Sequence, residues 1–335
     1  MYHFRTLILH RFRGPSLGSA TSSSPRFLHL ALARRSLREA GPAAGAAVAA
    51  LPHYHRTLFR RSLILQTVPE PVKVERLSDS DSGIVELRLD RGEAKNAIGK
   101  EMLKGLQNAL EVIKEDAAAN VVMVCSSVPT VFCAGADLKE RKKMSSSEVQ
   151  LFVNSLRTTF SYLEALSIPA IAVIEGAALG GGLELVLSCD LRICGEDAMF
   201  GMPETGLAII PGAGGTQRLP RVVGRSVAKE LIFTGRKIDG KEAFSLVYFM
   251  AGLVNYCVPA GKAYIKALQV ARDINQKGPL ALRMAKQAIN QGMEVGMPSA
   301  LDVEERCYGQ LLDTEDRLEG LAAFAEKRKP RYAGK

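Results

Sequence analysis

Short, wholly apolar runs alternate with stretches of helical period through the middle of this chain. Residues 121–125 (VVMVC) and 170–174 (AIAVI) are continuous apolar runs of strand length, the pattern of strands covered on both faces. Residues 84–90 alternate instead, with Ile84, Glu86 and Arg88 on one side and Val85, Leu87 and Leu89 on the other. Helical spacing fills the gaps. Leu103, Leu106, Leu110 and Ile113 share one face of a helix predicted over 96–113, and a second helix is predicted around 148–165. A loop with Pro129 leads into 131–137, glycines 180–182 open a helix to about Cys189, and 191–194 and 254–258 read as strands. Residues 66–82 read as a polar lead-in to the first strand. This order predicts an α/β core of stacked ββα units. From Gly261 onward only helices are expected: one with Ile265, Leu268, Ala271 and Ile274 on its apolar face, then others around 281–291, 301–311 and 316–327. Apolar faces there must pack on the core or on a neighbouring subunit.

Composition divides the chain. Its 335 residues are 47% apolar, enough for a sizeable core, and its net charge is +9. That charge sits in residues 1–65, which hold ten arginines, no lysine and one acid, Glu39. The remainder has 34 basic and 34 acidic residues and is neutral, so the body is not marked as polyanion-binding. An Arg-, Ser- and Ala-rich segment nearly free of acids has the composition of an organellar transit peptide, with a basic RNA-binding arm as the alternative. Arginine dominance favours the mitochondrion, with processing near Arg60 and Arg61. The alanine-rich run at 43–51 is too short to span a bilayer, so no membrane insertion is expected. Three regions follow: 1–65, a mitochondrial transit peptide expected to be disordered; 66–260, the α/β core; and 261–335, a helical oligomerisation region.

Residue types narrow the chemistry. All five histidines lie in the first 65 residues. A body without histidine excludes Ser-His-Asp and Cys-His catalysis and His-containing zinc sites. Proton transfer there must use Glu, Asp, Lys, Tyr, Cys or water. The six cysteines form no CxxC pair and read as buried reduced thiols. Gly235 to Lys241 resembles the start of a P-loop, but Glu242 stands where the magnesium-binding hydroxyl is needed. Gly212-Ala-Gly214-Gly215 lacks the third glycine of a dinucleotide fingerprint.

Two glycine segments stand at strand ends, Phe132-Cys-Ala-Gly-Ala-Asp137 and Ala178-Leu-Gly-Gly-Gly-Leu-Glu184. Glycines there either permit tight helix–strand packing or let backbone N–H groups approach a ligand. Two such N–H groups converging would make an oxyanion hole. Glu184 and Glu204 are acids inside otherwise apolar stretches. Each needs a partner or a function, because burying an unpaired carboxylate is costly. Each alone could be a capping or salt-bridged acid; as a pair near an oxyanion hole they could activate water and hand over a proton.

ALGGGLE (178–184), FCAGADLKE (132–140) and FGMPETGLAIIPGAGGTQRLPR (200–221) together resemble the crotonase (enoyl-CoA hydratase/isomerase) superfamily. The resemblance runs from about Ile84 to AAFAEKRKPRY near the end. DLKERKKMSSSEV, AKELIFTGR, AINQGMEV and DRLEGLAAFAEKR are closest to its mitochondrial AU-binding-type branch, which includes 3-methylglutaconyl-CoA hydratases and plant enoyl-CoA hydratase-like proteins. It implies a crotonase-like spiral of repeated ββα units with a C-terminal helical segment. It implies that the backbone N–H groups of Ala136 and Gly181 hold a thioester oxygen. Ala134, Ala136, Asp137, Leu138, Lys139 and Gly181 would then line the path of substrate and CoA. Glu184 and Glu204 become the catalytic pair, one acting as base on water and Glu204 giving a proton to the α-carbon. No metal and no cofactor is implied, since coenzyme A is part of the substrate. Lys327 matches a lysine that approaches CoA in relatives, sometimes from the next subunit; otherwise it is a solvated charge in a basic tail.

The implied activity is hydration of a 2-enoyl-CoA to a 3-hydroxyacyl-CoA in fatty-acid or branched-chain amino-acid breakdown, in the mitochondrial matrix. An enoyl-CoA isomerase and an RNA-binding protein on the same scaffold are the alternatives. RNA is not the expected partner, because Lys95, Lys100, Lys104 and Lys114 are interleaved with Glu101, Glu111 and Glu115. A homotrimer or a hexamer of paired trimers is implied. One departure stands out: about five extra, mostly apolar residues follow Ala243 before Gly252-Leu-Val, either a loop insertion or an error in the gene model.

Overall fold

The computed structural model describes residues 70–246 and 252–335. The leader and most of the extra residues after Ala243 therefore lie outside the described residues.

A large sheet is built from β1 (Val72–Arg76), β2 (Ile84–Leu89), β3 (Val121–Ser126), β5 (Ala170–Ile174), β7 (Leu191–Gly195) and β10 (Tyr256–Val258), in the order β1-β2-β3-β5-β7-β10. β1 is antiparallel to β2, and the other pairs are parallel. A small sheet has the order β4-β6-β8-β9, from β4 (Val131–Cys133), β6 (Ala177–Leu179), β8 (Met199–Gly201) and β9 (Lys237–Asp239). Along the chain, β3, β5 and β7 enter the large sheet, and β4, β6 and β8, each directly after, enter the small one. Helices then return the chain, which is the ββα repeat expected from the alternation.

The helices follow their sequence signals with instructive shifts. α1 (Lys100–Glu115) buries Leu103, Leu106, Leu110 and Ile113 as expected, but starts four residues later than predicted. Lys95 and Asn96 adopt φ of 52° and 54°, which a helix cannot use. Asn96 is instead a buried tie: its Nδ2 donates to Ser126 Oγ and the Phe132 carbonyl, both at 2.9 Å, and its Oδ1 accepts from the Arg91 N–H. α2 (Leu138–Arg141) is a single turn. α3 (Ser146–Glu164) starts at a capping box between Ser145 and Glu148. α4 (Gly181–Leu187) begins at the triple glycine, where Gly180 has φ 50°. α5 (Gly215–Val223), α6 (Arg225–Thr234) and α7 (Gly240–Ser245) carry the chain to β10.

Both faces of the large sheet are covered. One packs the main core. The other receives α8 (Ala263–Asn275) through Ala263, Ala267 and Ala271, all fully buried against Ile84, Val121, Met123, Ile171, Val173 and Ile193. Leu268, Ala271 and Ile274 of the expected face pack there too, and only Ile265 departs from it: it points to solvent, because small alanines at i, i+4, i+8 let the backbone approach the sheet. It also explains why β2 alternates yet has no wet side. Glu86 is buried under α8, paired with Arg88 and accepting from the Tyr264 hydroxyl. The polar lead-in conceals β1, an edge strand that the sequence reading missed, and 254–258 narrows to β10. Helices α9 (Pro279–Gly292), α10 (Met297–Gly309) and α11 (Glu315–Ala325) follow and leave Met293, Met297, Leu318 and Phe324 exposed.

Candidate active site

The small sheet sets the site. β4, β6 and β8 run parallel, with Val131 opposite Ala177, Ala177 opposite Met199 and Leu179 opposite Gly201. The loops leaving their C-terminal ends must therefore emerge side by side, the usual place for a ligand in parallel sheets. Those loops are Ala134–Gly135–Ala136 after β4, Gly180–Gly181 after β6 and Pro203–Glu204 after β8. All line one cleft, whose walls include Leu156, Ile209 and Ile210.

Ala136 and Gly181 come together as the glycine motifs anticipated. Gly135 (φ 94°) turns the first loop so tightly that a Cβ on it would stand 2.7 Å from the Leu179 carbonyl oxygen and 3.4 Å from the Gly181 nitrogen. The Gly135 carbonyl accepts from the Ile98 N–H, and the Asp137 N–H donates to the Ile98 carbonyl. The intervening Ala136 N–H and the Gly181 N–H, first of α4, donate to no backbone acceptor among the described residues. These two donors from separate segments, with the α4 dipole behind one of them, can polarise a carbonyl oxygen.

Glu184, in the first turn of α4, is 3% exposed. Its Oε1 accepts from the N–H groups of Ala213 at 2.8 Å and Gly215 at 2.7 Å. Burial is the largest influence and leaves its carboxyl above the ordinary value, although those two N–H groups and the Arg218 charge pull it down in part. The glycine run that failed as a nucleotide motif is thus the clamp on this carboxylate. Gly214 (φ 116°) makes the turn, and Arg218 braces it through the Ala213 carbonyl and Glu164. The sequence reading assigned no such duty to this run; its glycines next to an apolar segment were the only signal.

Glu204 lies in a 3-10 turn (Pro203–Leu207) and is 8% exposed. Its Oε2 is buried with no hydrogen-bond partner among the described residues. Burial, with the Glu184 charge adding to it, pushes this carboxyl up to about 7. A proton is therefore available on Glu204 near neutral pH, while Glu184 has donors aimed at its charged form. Two carboxyls in such different settings, one held by donors and one bare, can divide the giving and taking of a proton between them.

The shift has a consequence for stability. The folded chain holds the Glu204 proton at pH values where the unfolded chain, with an ordinary value of 4.5, has released it. The stabilisation is complete below the unfolded pKa and is lost as pH rises through about 7. Glu204→Gln removes this dependence, so the melting temperature of the parent should fall relative to E204Q between about pH 5 and about pH 8. Parallel melting curves over that range would contradict the shift.

The remaining candidates separate. Ala134 and Leu138 line the cleft. Asp137 is outside the lining: its Oδ1 caps α2 by accepting from the Glu140 N–H, and its Oδ2 pairs with Arg91 at 3.0 Å. That backbone N–H and the Arg91 charge hold its carboxyl below the ordinary value. Lys139 is exposed on α2, and Lys327 is exposed just beyond α11; neither lines the cleft of the single chain. Arg141, Ile209 and Ile210 do line it and were not anticipated. The six cysteines are free, five of them buried; burial pushes the Cys133 thiol up to about 12, which leaves it no nucleophile.

The fold and paired carboxyls define a class, and residues 79–335 match the enoyl-CoA hydratase/isomerase family, to which the chain belongs. Among its relatives, a probable mitochondrial enoyl-CoA hydratase 2 of Arabidopsis thaliana is 68% identical over 275 residues, covering 82% of this chain and 90% of that protein. The mitochondrial methylglutaconyl-CoA hydratase of Homo sapiens is 49% identical over 269 residues, covering 79% and 78%. The crystal structure of an enoyl-CoA hydratase from Bacillus anthracis superposes with a TM-score of 0.75 at 45% identity, covering 79% of this chain and all of that one.

Proposed function

We propose that Glu184, Glu204 and the N–H groups of Ala136 and Gly181 carry out hydration of a 2-enoyl-CoA. The chain is an enoyl-CoA hydratase, a hydro-lyase of the mitochondrion. The observation that carries the assignment of residues is the pair of buried carboxyls facing two backbone donors in one cleft. The N–H groups of Ala136 and Gly181 polarise the thioester carbonyl, which makes the β-carbon electrophilic and holds the negative charge of the enolate. Glu184, clamped by Ala213 and Gly215, orients the water and takes its proton as oxygen bonds to the β-carbon. Glu204 delivers a proton to the α-carbon, and the proton taken from water restores the pair for the next turnover. The acyl-CoA itself supplies the CoA group, and this sequence of steps needs no further cofactor.

The matrix is the proposed compartment, with residues 1–65 as the targeting segment. Core 66–260 and helical region 261–335 are read as the catalytic and assembly portions. The exposed Met293, Met297, Leu318 and Phe324 support burial of the last helices in a homotrimer or a pair of trimers. In that assembly Lys327 would reach CoA across a subunit boundary.

Hydration of crotonyl-CoA in ¹⁸O-labelled water tests the reading. The expected product is 3-hydroxybutyryl-CoA with one solvent oxygen at C3. Migration of a double bond in a 3-enoyl-CoA, without label uptake and without hydration of crotonyl-CoA, would establish isomerase chemistry instead.

A further inference from the structure

The loop that clamps Glu184 is itself held at each carbonyl from Gly212 to Gly214. The Gly212 carbonyl accepts from Arg157, on α3, through Nε at 3.2 Å and Nη2 at 3.0 Å. The Ala213 carbonyl accepts from Arg218 Nη1 at 3.0 Å. The Gly214 carbonyl accepts from the backbone N–H groups of Gln217 and Arg218, at 2.9 and 2.8 Å, as α5 begins. In a trans peptide the C=O and N–H point in opposite directions within one plane. Fixing the Gly212 and Gly214 carbonyls therefore aims the Ala213 and Gly215 N–H groups, the two that reach Glu184. The peptide between them joins Ala213 to Gly214, and its carbonyl is held by the Arg218 side chain. That side chain is 12% exposed. Its other donors go to α3: Nε and Nη2 to Glu164 Oε2 at 3.1 and 2.7 Å, and Nη2 to Ser161 Oγ at 3.1 Å. The guanidinium packs so closely on Gly214 that a Cβ there would collide with it.

We infer that Arg218 is a positioning residue for the hydration: anchored on α3 by Glu164 and Ser161, its guanidinium locks the central peptide of the loop, so that both flanking N–H groups stay on Glu184. The inference rests on the hydratase reading above. Arg218 is outside the cleft lining, so it acts through the loop and not on the substrate. Its charge works in the same direction as its geometry. Burial pushes the Glu184 carboxyl up, and the Gly215 and Ala213 N–H groups, Arg218 and Arg141 oppose that rise. Glu204 is the other titratable group facing Glu184 in the cleft, and Arg141 bears on both carboxyls. Both of these stay in place when Arg218 is replaced. Losing the guanidinium therefore leaves more of Glu184 protonated at a given pH and frees the two N–H groups to turn away from it.

The test measures kcat and KM for crotonyl-CoA against pH in the parent protein, Arg218→Met, Arg218→Lys and Glu164→Gln. In R218M kcat should fall about 10- to 100-fold near neutral pH, the cost of a misplaced catalytic group, with KM within about threefold of the parent. The acidic limb of its kcat profile should move to higher pH, so that the loss is greatest in acid, while the alkaline limb stays. R218K keeps the charge without the fork, so its acidic limb should stay near the parent's and its kcat fall between the two. E164Q should lose kcat severalfold, and adding it to R218M should cost nothing further, because Glu164 acts through Arg218. A loss in R218M that is uniform with pH would overturn the inference and leave Arg218 a purely structural part. So would an E164Q loss that multiplies with that of R218M. Should R218M fail to fold, R218K decides: a lowered kcat with an unmoved acidic limb supports the inference, and the parent's kcat overturns it. A parent that hydrates crotonyl-CoA, with every variant at the parent's rate, would overturn it while leaving the hydratase reading intact. A folded parent that does not hydrate crotonyl-CoA would remove both.

Discussion

Glu184→Gln and Glu204→Gln are each expected to lower kcat for enoyl-CoA hydration by about 10³-fold, within the range that one positioned acid or base contributes. The fold should survive both. An amide oxygen at 184 can still accept the Ala213 and Gly215 N–H groups, and the Glu204 carboxyl is already pushed toward its neutral form. CoA-thioester binding, read from the affinity for a non-reactive acyl-CoA, should stay within about threefold, because neither carboxyl needs to hold the CoA portion. The double variant should lose little more than the worse single one, as the proposed sharing of one water by the two glutamates requires. Single variants that keep a tenth of the activity would sink the assignment of the pair. So would double losses that simply multiply.

The second large effect is expected at Gly135. Alanine there must adopt φ 94°, and its methyl would lie 2.7 Å from the Leu179 carbonyl oxygen and 3.4 Å from the Gly181 nitrogen. Both neighbours are backbone, so the loops after β4 and β6 must separate. That separation pulls the Ala136 and Gly181 N–H groups, the proposed oxyanion donors, apart, and kcat should fall by about 10²- to 10³-fold. Stability should fall by about 1–3 kcal/mol from the backbone strain. Gly224→Ala is the control. It carries similar strain at φ 81° but meets nothing within 4 Å, and it lies outside the cleft lining. It should lose stability and keep its kcat. Equal kcat losses in G135A and G224A would mean that general destabilisation, not the oxyanion geometry, explains the effect.

The elements of the site were legible because their signals are local. A glycine run at a strand end marks a close backbone approach wherever it stands. An acid inside an apolar run is conspicuous because burial must be compensated. Glu184, Glu204, Ala136 and Gly181 carry such signals within a few residues of themselves, and the motif resemblance ordered them into roles. Asn96 shows the opposite limit. Its apolar neighbours have helical spacing, but its side chain is worth more as a buried link to Ser126 and Phe132, so the helix starts at Lys100. Ile265 shows another: Leu268, Ala271 and Ile274 pack on the sheet as their period implied, but the centre of the inward face fell on Ala263, Ala267 and Ala271, which let the helix come close, and Ile265 was left outside.

The sequence by itself determined the ββα order, the helical C-terminal segment, the two carboxyls and the glycine segments that border them. These follow from periodicity and from the conformational freedom of glycine, which act over one or two turns of chain. Only the tertiary structure decided what surrounds each charge. The N–H groups that hold Glu184 come from 29 and 31 residues further on, and Asp137 is bound by Arg91, 46 residues away. Arg141 stands in the cleft without a partner among the described residues, although Arg91, Arg157 and Arg218 each have one. The environment of a charge is set by distance and burial in space, and sequence separation carries neither.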